Sequence, residues 1–90
     1  MKVHRFLADR SKWTHKAVAR NKHSTPCSAT SESAVRWCLI GAIYKCYPHS
    51  AATILDRVTE KILDDYNSIG EFNDECGHAR VLKLAKELGI

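Results

Sequence analysis

No apolar run in this chain is long enough to cross a bilayer. The longest is Ala34–Tyr47, AVRWCLIGAIYKCY, and Arg36 and Lys45 interrupt it. As a helix it spans roughly 21 Å, against the roughly 30 Å of a hydrocarbon core. No apolar segment of signal-peptide length opens the sequence either, because charges fall at Lys2, Arg5, Asp9 and Arg10. A cytoplasmic setting is the expectation, with the four cysteines as thiols rather than disulfides. Internal repeats and low-complexity segments are absent, as is any recognisable helix-turn-helix or other nucleic-acid module. No motif carries a specific catalytic or cofactor signal. The reading is therefore of a protein that is not an enzyme and holds no cofactor.

What remains is a chain of 90 residues, the length of one domain spanning 1–90. Such a chain buries only roughly 60–65% of its unfolded surface, so its core is small and a homodimer is compatible with it. Two tryptophans and a 44% hydrophobic composition argue against disorder.

The apolar run Ala34–Tyr47 is the natural centre. Its length and its Ala, Leu and Cys content predict a helix buried on most of its circumference. Ala34, Cys38 and Ala42 then stack at i, i+4 and i+8 beside Gly41 and form a narrow face. Gly41 costs about 1 kcal/mol in a helix interior, which close approach of a neighbouring helix would offset. Ser31 or Ser33 is the expected N-cap, and Pro48 ends the helix.

Around this centre the pattern predicts three further helices. Residues 2–10 place Val3, Phe6 and Leu7 on one face. Residues 50–67 are amphipathic, with Ile54, Leu55, Val58, Ile62 and Tyr66 on the apolar side and Ser50 as cap. The last helix runs from about Gly77 to Leu88 on Val81, Leu84, Ala85 and Leu88, with Gly89 as its stop. Residues 67–77 read as a loop. Residues 13–30 read as an irregular basic crossover, with Ala17–Ala19 as a short extended piece and a turn over Asn21–Thr25. The expected fold is thus all-α: a compact four-helix domain with one central buried helix.

Charge is distributed unevenly. Residues 1–24 hold seven Lys/Arg against Asp9, while residues 56–75 hold seven acids against Arg57 and Lys61. Two contact surfaces follow. One is basic, built from Arg10, Lys12, Lys16, Arg20 and Lys22 with Trp13. The other is acidic, built from Asp56, Glu60, Asp64 and Asp65. Asp64 and Asp65 sit at a helix C-terminus, where the dipole disfavours anions. Histidines 15 and 23 lie among the lysines, where a phosphate-contacting loop competes with a plain solvated linker.

Three chemical constellations compete with this picture. Cys46-x-x-His49 and Cys76-x-His78 offer four ligands of zinc type, but Pro48 lies inside the first pair and the gap between pairs is long. Cys38 with His78 and Asn73 or Asp74 has the ingredients of a nucleophile triad. A mid-helix cysteine in an apolar run is better read as a small core residue. A redox switch through Cys27 and Cys46 is the third.

The features W-T at 13–14, A-R-N at 19–21, A-V-R-W-C-L-I-G-A at 34–42, F-N-D at 72–74 and V-L-x-L at 81–84 occur in one order. Together they resemble a small helical domain family of unknown function, met in actinobacteria and in phages. The resemblance covers most of the chain and implies a helical domain with an extended piece near 19–21. The region 75–78 departs from the pattern, and the basic 15–24 segment is an addition. The family carries no activity to transfer. The functional expectation is a non-enzymatic protein-interaction module, an accessory bacterial or phage protein that inhibits a host defence factor. Nucleic-acid binding through residues 1–24 is the alternative.

Overall fold

A computed structural model describes residues 1–90. The elements follow in order as α1 (Val3–Phe6), β1 (Ala19–Asn21), β2 (Pro26–Cys27), β3 (Ala34–Trp37), α2 (Leu39–Cys46), α3 (Ala51–Ile62) and α4 (Ile69–Leu88), with a 3-10 turn at Arg10–Lys12. None of the helices is long and apolar enough to cross a membrane.

The sheet overturns the all-α expectation. Three antiparallel strands lie in the order β2-β1-β3. Two of them fall inside 13–30, which is therefore not merely an irregular crossover. The third takes the first four residues of the expected central helix. Ala19 stands opposite Trp37 and Arg20 opposite Arg36, and the register then slips by one residue to pair Asn21 with Ala34. The β1–β2 hairpin turns because Asn21 Oδ1 accepts from His23 N at 2.9 Å and Thr25 N at 3.1 Å.

The chain switches from strand to helix at Cys38, an extended N-cap whose sulfur accepts from Gly41 N at 3.4 Å. Neither Ser31 nor Ser33 caps the helix; their hydroxyls hydrogen-bond each other at 2.8 Å. The narrow Ala34–Cys38–Ala42 face does not exist, because Ala34 lies in a strand. Gly41 is required for a different reason. A Cβ on it would lie 2.1 Å from the carbonyl oxygen of Val18. That carbonyl accepts from Cys38 N at 3.1 Å, so the approach is to the chain entering β1, not to another helix.

Packing is centred on α2, where Leu39, Ala42 and Ile43 are fully buried. Val3 and Leu7 cover one side, Ile54, Val58 and Ile62 of α3 another, and Val81, Leu84 and Ala85 of α4 complete the core. Phe6 packs on Trp37 with centroids 4.7 Å apart. The Trp37 indole donates to Ala29 O at 2.8 Å. Amphipathic spacing locates α3, but the helix ends at Ile62, short of the expected 50–67 and of Tyr66, and Ser50 occupies its N-cap without a side-chain bond.

Helix α4 begins eight residues earlier than the periodicity predicts. Ser68 accepts from Glu71 N at 3.1 Å, and Glu71 returns to Asn67 N at 2.9 Å. These two bonds, one to the N-cap side chain and one from the amide before it, start the helix at Ile69. Gly77, at φ 81° and ψ 178°, breaks it into two pieces. Gly89 adopts the left-handed conformation, and Ile90 N reaches back to Ala85 O at 3.0 Å, which closes the helix in a Schellman turn.

Candidate functional site

The motif residues meet at Asn73, which is fully buried in the first piece of α4. Its Oδ1 accepts from the Trp13 indole at 2.9 Å and from Leu39 N at 3.0 Å. Its Nδ2 donates to Thr14 O and to Asp74 Oδ1, both at 3.1 Å. One carboxamide thus fixes the W-T pair, the first amide of α2 and the neighbouring aspartate. Asp74 Oδ1 in turn accepts from Lys16 N at 2.9 Å. Lys16 has φ 61°, a conformation that non-glycine residues rarely adopt, and this bond holds it there.

A cleft of about 270 Å³ opens beside this network, lined among others by Lys16, Val18, Cys38, Ile40, Asn73 and Asp74. Cys38 is only 5% exposed. Burial pushes its thiol above the ordinary value of 9.0, against the opposing pull of hydrogen bonds from the Gly41 and Ile40 amides. His78 does not line this cleft. Its Nε2 lies 2.6 Å from Leu7 O, where only a donated proton makes a bond, and its ring faces Trp13 with centroids 6.0 Å apart. Cys38 is therefore a helix cap, not the mid-helix residue of the sequence reading. Its surroundings favour the neutral thiol rather than the thiolate.

The zinc-type residues are not gathered. No group of three or more His, Cys, Asp or Glu side chains is placed to hold a metal ion. Cys76 Sγ instead donates to Tyr66 Oη at 2.8 Å. Cys27, Cys38, Cys46 and Cys76 are all free thiols.

The basic residues divide into two kinds. Arg10, Lys12, Lys16 and Lys22 are exposed, with Lys12 Nζ 5.7 Å from the Phe6 ring centroid. Trp13 and Arg20 are committed inside the fold. Arg20 donates from Nε to Thr14 Oγ1 at 3.1 Å, from one terminal nitrogen to Ser24 O at 2.8 Å, and from the other to His15 O at 3.2 Å. Sequence reasoning passed over Arg36 as a mere interruption of an apolar run. Its guanidinium stands across the strand pair from Arg20 and reaches Ser24 Oγ at 2.5 Å. Only the strand register brings the two together, and periodicity carries no signal for it.

Asp56 and Glu60 share one side of α3 and form a short acidic row; Asp64 follows in the turn after Ile62, while Asp65 lines the hollow against α4 with Lys61, Arg80 and Lys83, and all four are exposed. The cations of the same helix turn away toward α4. Arg57 donates to Leu88 O at 2.7 Å, and Lys61 pairs with Glu87 at 3.7 Å. That is the only ion pair in a chain with 14 Lys/Arg and 10 Asp/Glu.

A model of a family of unknown function, DUF6197, matches residues 1–88. No curated protein and no solved structure matches the chain.

Proposed function

We propose that this chain, which belongs to the DUF6197 family of unknown function, works as a non-enzymatic interaction module. Its first contact surface is the acidic row of α3, and its partner is a protein with a basic face. The observation that carries this reading is how charge is spent on α3. Both of its cations serve α4, while Asp56, Glu60, Asp64 and Asp65 stand exposed and outside any ion pair. Like charges at i, i+4 cost a helix a few tenths of a kcal/mol, and anions at its C-terminus oppose its dipole. A row that costs the fold stability and serves nothing inside it suits an external partner. The desolvated Cys38 thiol and the committed His78 support a binding role over catalysis. A finer reading, an accessory bacterial or phage protein that blocks a host defence factor, rests on analogy of size and charge alone.

Capture from a lysate of the native host, with wild type and an Asp56→Asn/Glu60→Gln double variant side by side, tests the reading. Wild type is expected to retain a basic protein that elutes as salt rises, and the variant is expected to lose it. The same proteins retained by both would remove the acidic row as the contact.

A further inference from the structure

The strand register sets two arginines face to face. Arg20 on β1 is the direct partner of Arg36 on β3. Their side chains lie on one side of the sheet and converge on one residue. Arg20 donates to the carbonyl oxygen of Ser24, and Arg36 donates to the Ser24 hydroxyl. Ser24 itself has φ 63°, a left-handed conformation that disfavours a residue bearing a Cβ. No carboxylate pairs with either guanidinium, since the molecule's only ion pair is Lys61–Glu87. Like charges directly opposite on a sheet destabilise it. Two cations and an uncommon backbone are thus assembled at one point, and every partner they have inside the chain is neutral.

We infer that this point is a receptor for the phosphates of a single nucleic-acid strand, on a surface separate from the acidic row of α3. Guanidiniums recognise phosphate oxygens through paired N–H donors. Arg20 has each of its three nitrogens engaged once and supplies fixed charge. Arg36 uses only one terminal nitrogen and keeps the rest of its fork available. A lysine also stands on each side of the pair. Lys22 is exposed in the turn after β1, beside His23 and in the same hollow as Glu32, and Lys16 is exposed next to His15, whose carbonyl the Arg20 guanidinium reaches. Lysines flanking a central arginine pair fit a polymer of phosphates better than the single phosphoryl group of a modified protein.

Fluorescence anisotropy with labelled single-stranded oligo-dT and oligo-rU, titrated against salt, tests the inference. A phosphoserine peptide and a glutamate-rich peptide serve as competing probes. The oligonucleotides are expected to bind at low salt and to dissociate as salt rises. Arg36→Gln is expected to weaken binding several-fold and to lower the salt slope by about one contact. A Lys22→Gln/His23→Gln double variant, altered only at exposed turn positions, is expected to weaken it as well. It keeps the test valid if Arg36→Gln disturbs the sheet, which far-ultraviolet circular dichroism reports. Asp56→Asn/Glu60→Gln is expected to leave oligonucleotide binding intact, which separates this inference from the proposed protein contact. No oligonucleotide binding at low salt would overturn the inference. So would preference for either peptide, or full affinity in folded basic-face variants.

Discussion

The Trp13 indole and the Asn73 carboxamide, sixty positions apart in sequence, meet in a hydrogen bond of 2.9 Å. This contact and the bond from Leu39 N to the same oxygen pin the N-terminal segment and the start of α2 to α4. Asn73→Ala would leave the indole N–H, the Leu39 amide and the Thr14 carbonyl without their partner. Each buried orphan costs about 1–3 kcal/mol, so a loss of about 3–5 kcal/mol is expected. Urea unfolding followed by tryptophan fluorescence measures it. An unchanged midpoint would mean that the network contributes nothing.

Two glycines separate close approach from helix propensity. Gly41→Ala drives a methyl group into the Val18 carbonyl, which already accepts from Cys38 N. The strand entrance must move, and a loss of about 1–3 kcal/mol is expected. Gly70→Ala meets nothing closer than Ser68 Oγ at 3.8 Å. Its expected effect is a gain of up to about 1 kcal/mol from helix propensity. Thermal unfolding of the two variants should move in opposite directions.

Gly77 poses a different question, because a Cβ there meets nothing within 4 Å. The cost of Gly77→Ala is backbone alone: φ 81° and ψ 178° belong to a region that is essentially restricted to glycine. A loss of about 1–3 kcal/mol is expected. Gly89, with φ 68° and ψ 26°, lies in the ordinary left-handed region. There Asn is tolerated better than Ala, so Gly89→Asn should cost less than Gly89→Ala. Equal costs for those two would argue against the Schellman turn.

These sites also mark what the sequence reveals. The amphipathic face of α3 was legible because Ile54, Val58 and Ile62 repeat at helical spacing and all three are buried. The strand in Ala34–Trp37 was not. A four-residue strand running directly into an eight-residue helix forms one unbroken apolar run, whose period identifies neither. Its partner β1 has three residues in a polar stretch, with the two-residue β2 on the far side, and their pairing is set by register alone. The start of α4 carries a local signal, since Ser68-x-x-Glu71 has capping-box spacing inside the stretch 67–77 expected to be a loop. The Trp13 and Asn73 motifs were visible as residues, while the hydrogen bond joining them depends on tertiary placement.

The Cys38 thiol predicts a pH dependence. Burial raises its ionisation in the folded state above the ordinary 9.0. The unfolded chain therefore loses this proton at lower pH than the folded one. Stability from the neutral buried thiol is complete below about 9 and declines as pH rises from there through the folded value. Cys38→Ala should flatten the alkaline part of the profile. Disulfide-exchange titration at neutral pH should label half-exposed Cys27 well before Cys38. Rapid labelling of Cys38 in the folded protein would contradict its burial.

The acidic row of α3 makes the last prediction, because there stability and binding should part. Glu60 lies four residues after Asp56 on α3. Glu60→Gln removes that repulsion and should stabilise the fold by a few tenths of a kcal/mol at low salt. Asp64→Asn should add a similar amount by relieving the conflict with the C-terminal dipole of α3. Added salt should shrink both gains, since the groups are exposed and screened. The same substitutions should weaken capture of a basic partner. A melting temperature that falls instead would mean that Glu60 and Asp64 support the helix, and the case for an outward-facing contact would lose its physical basis.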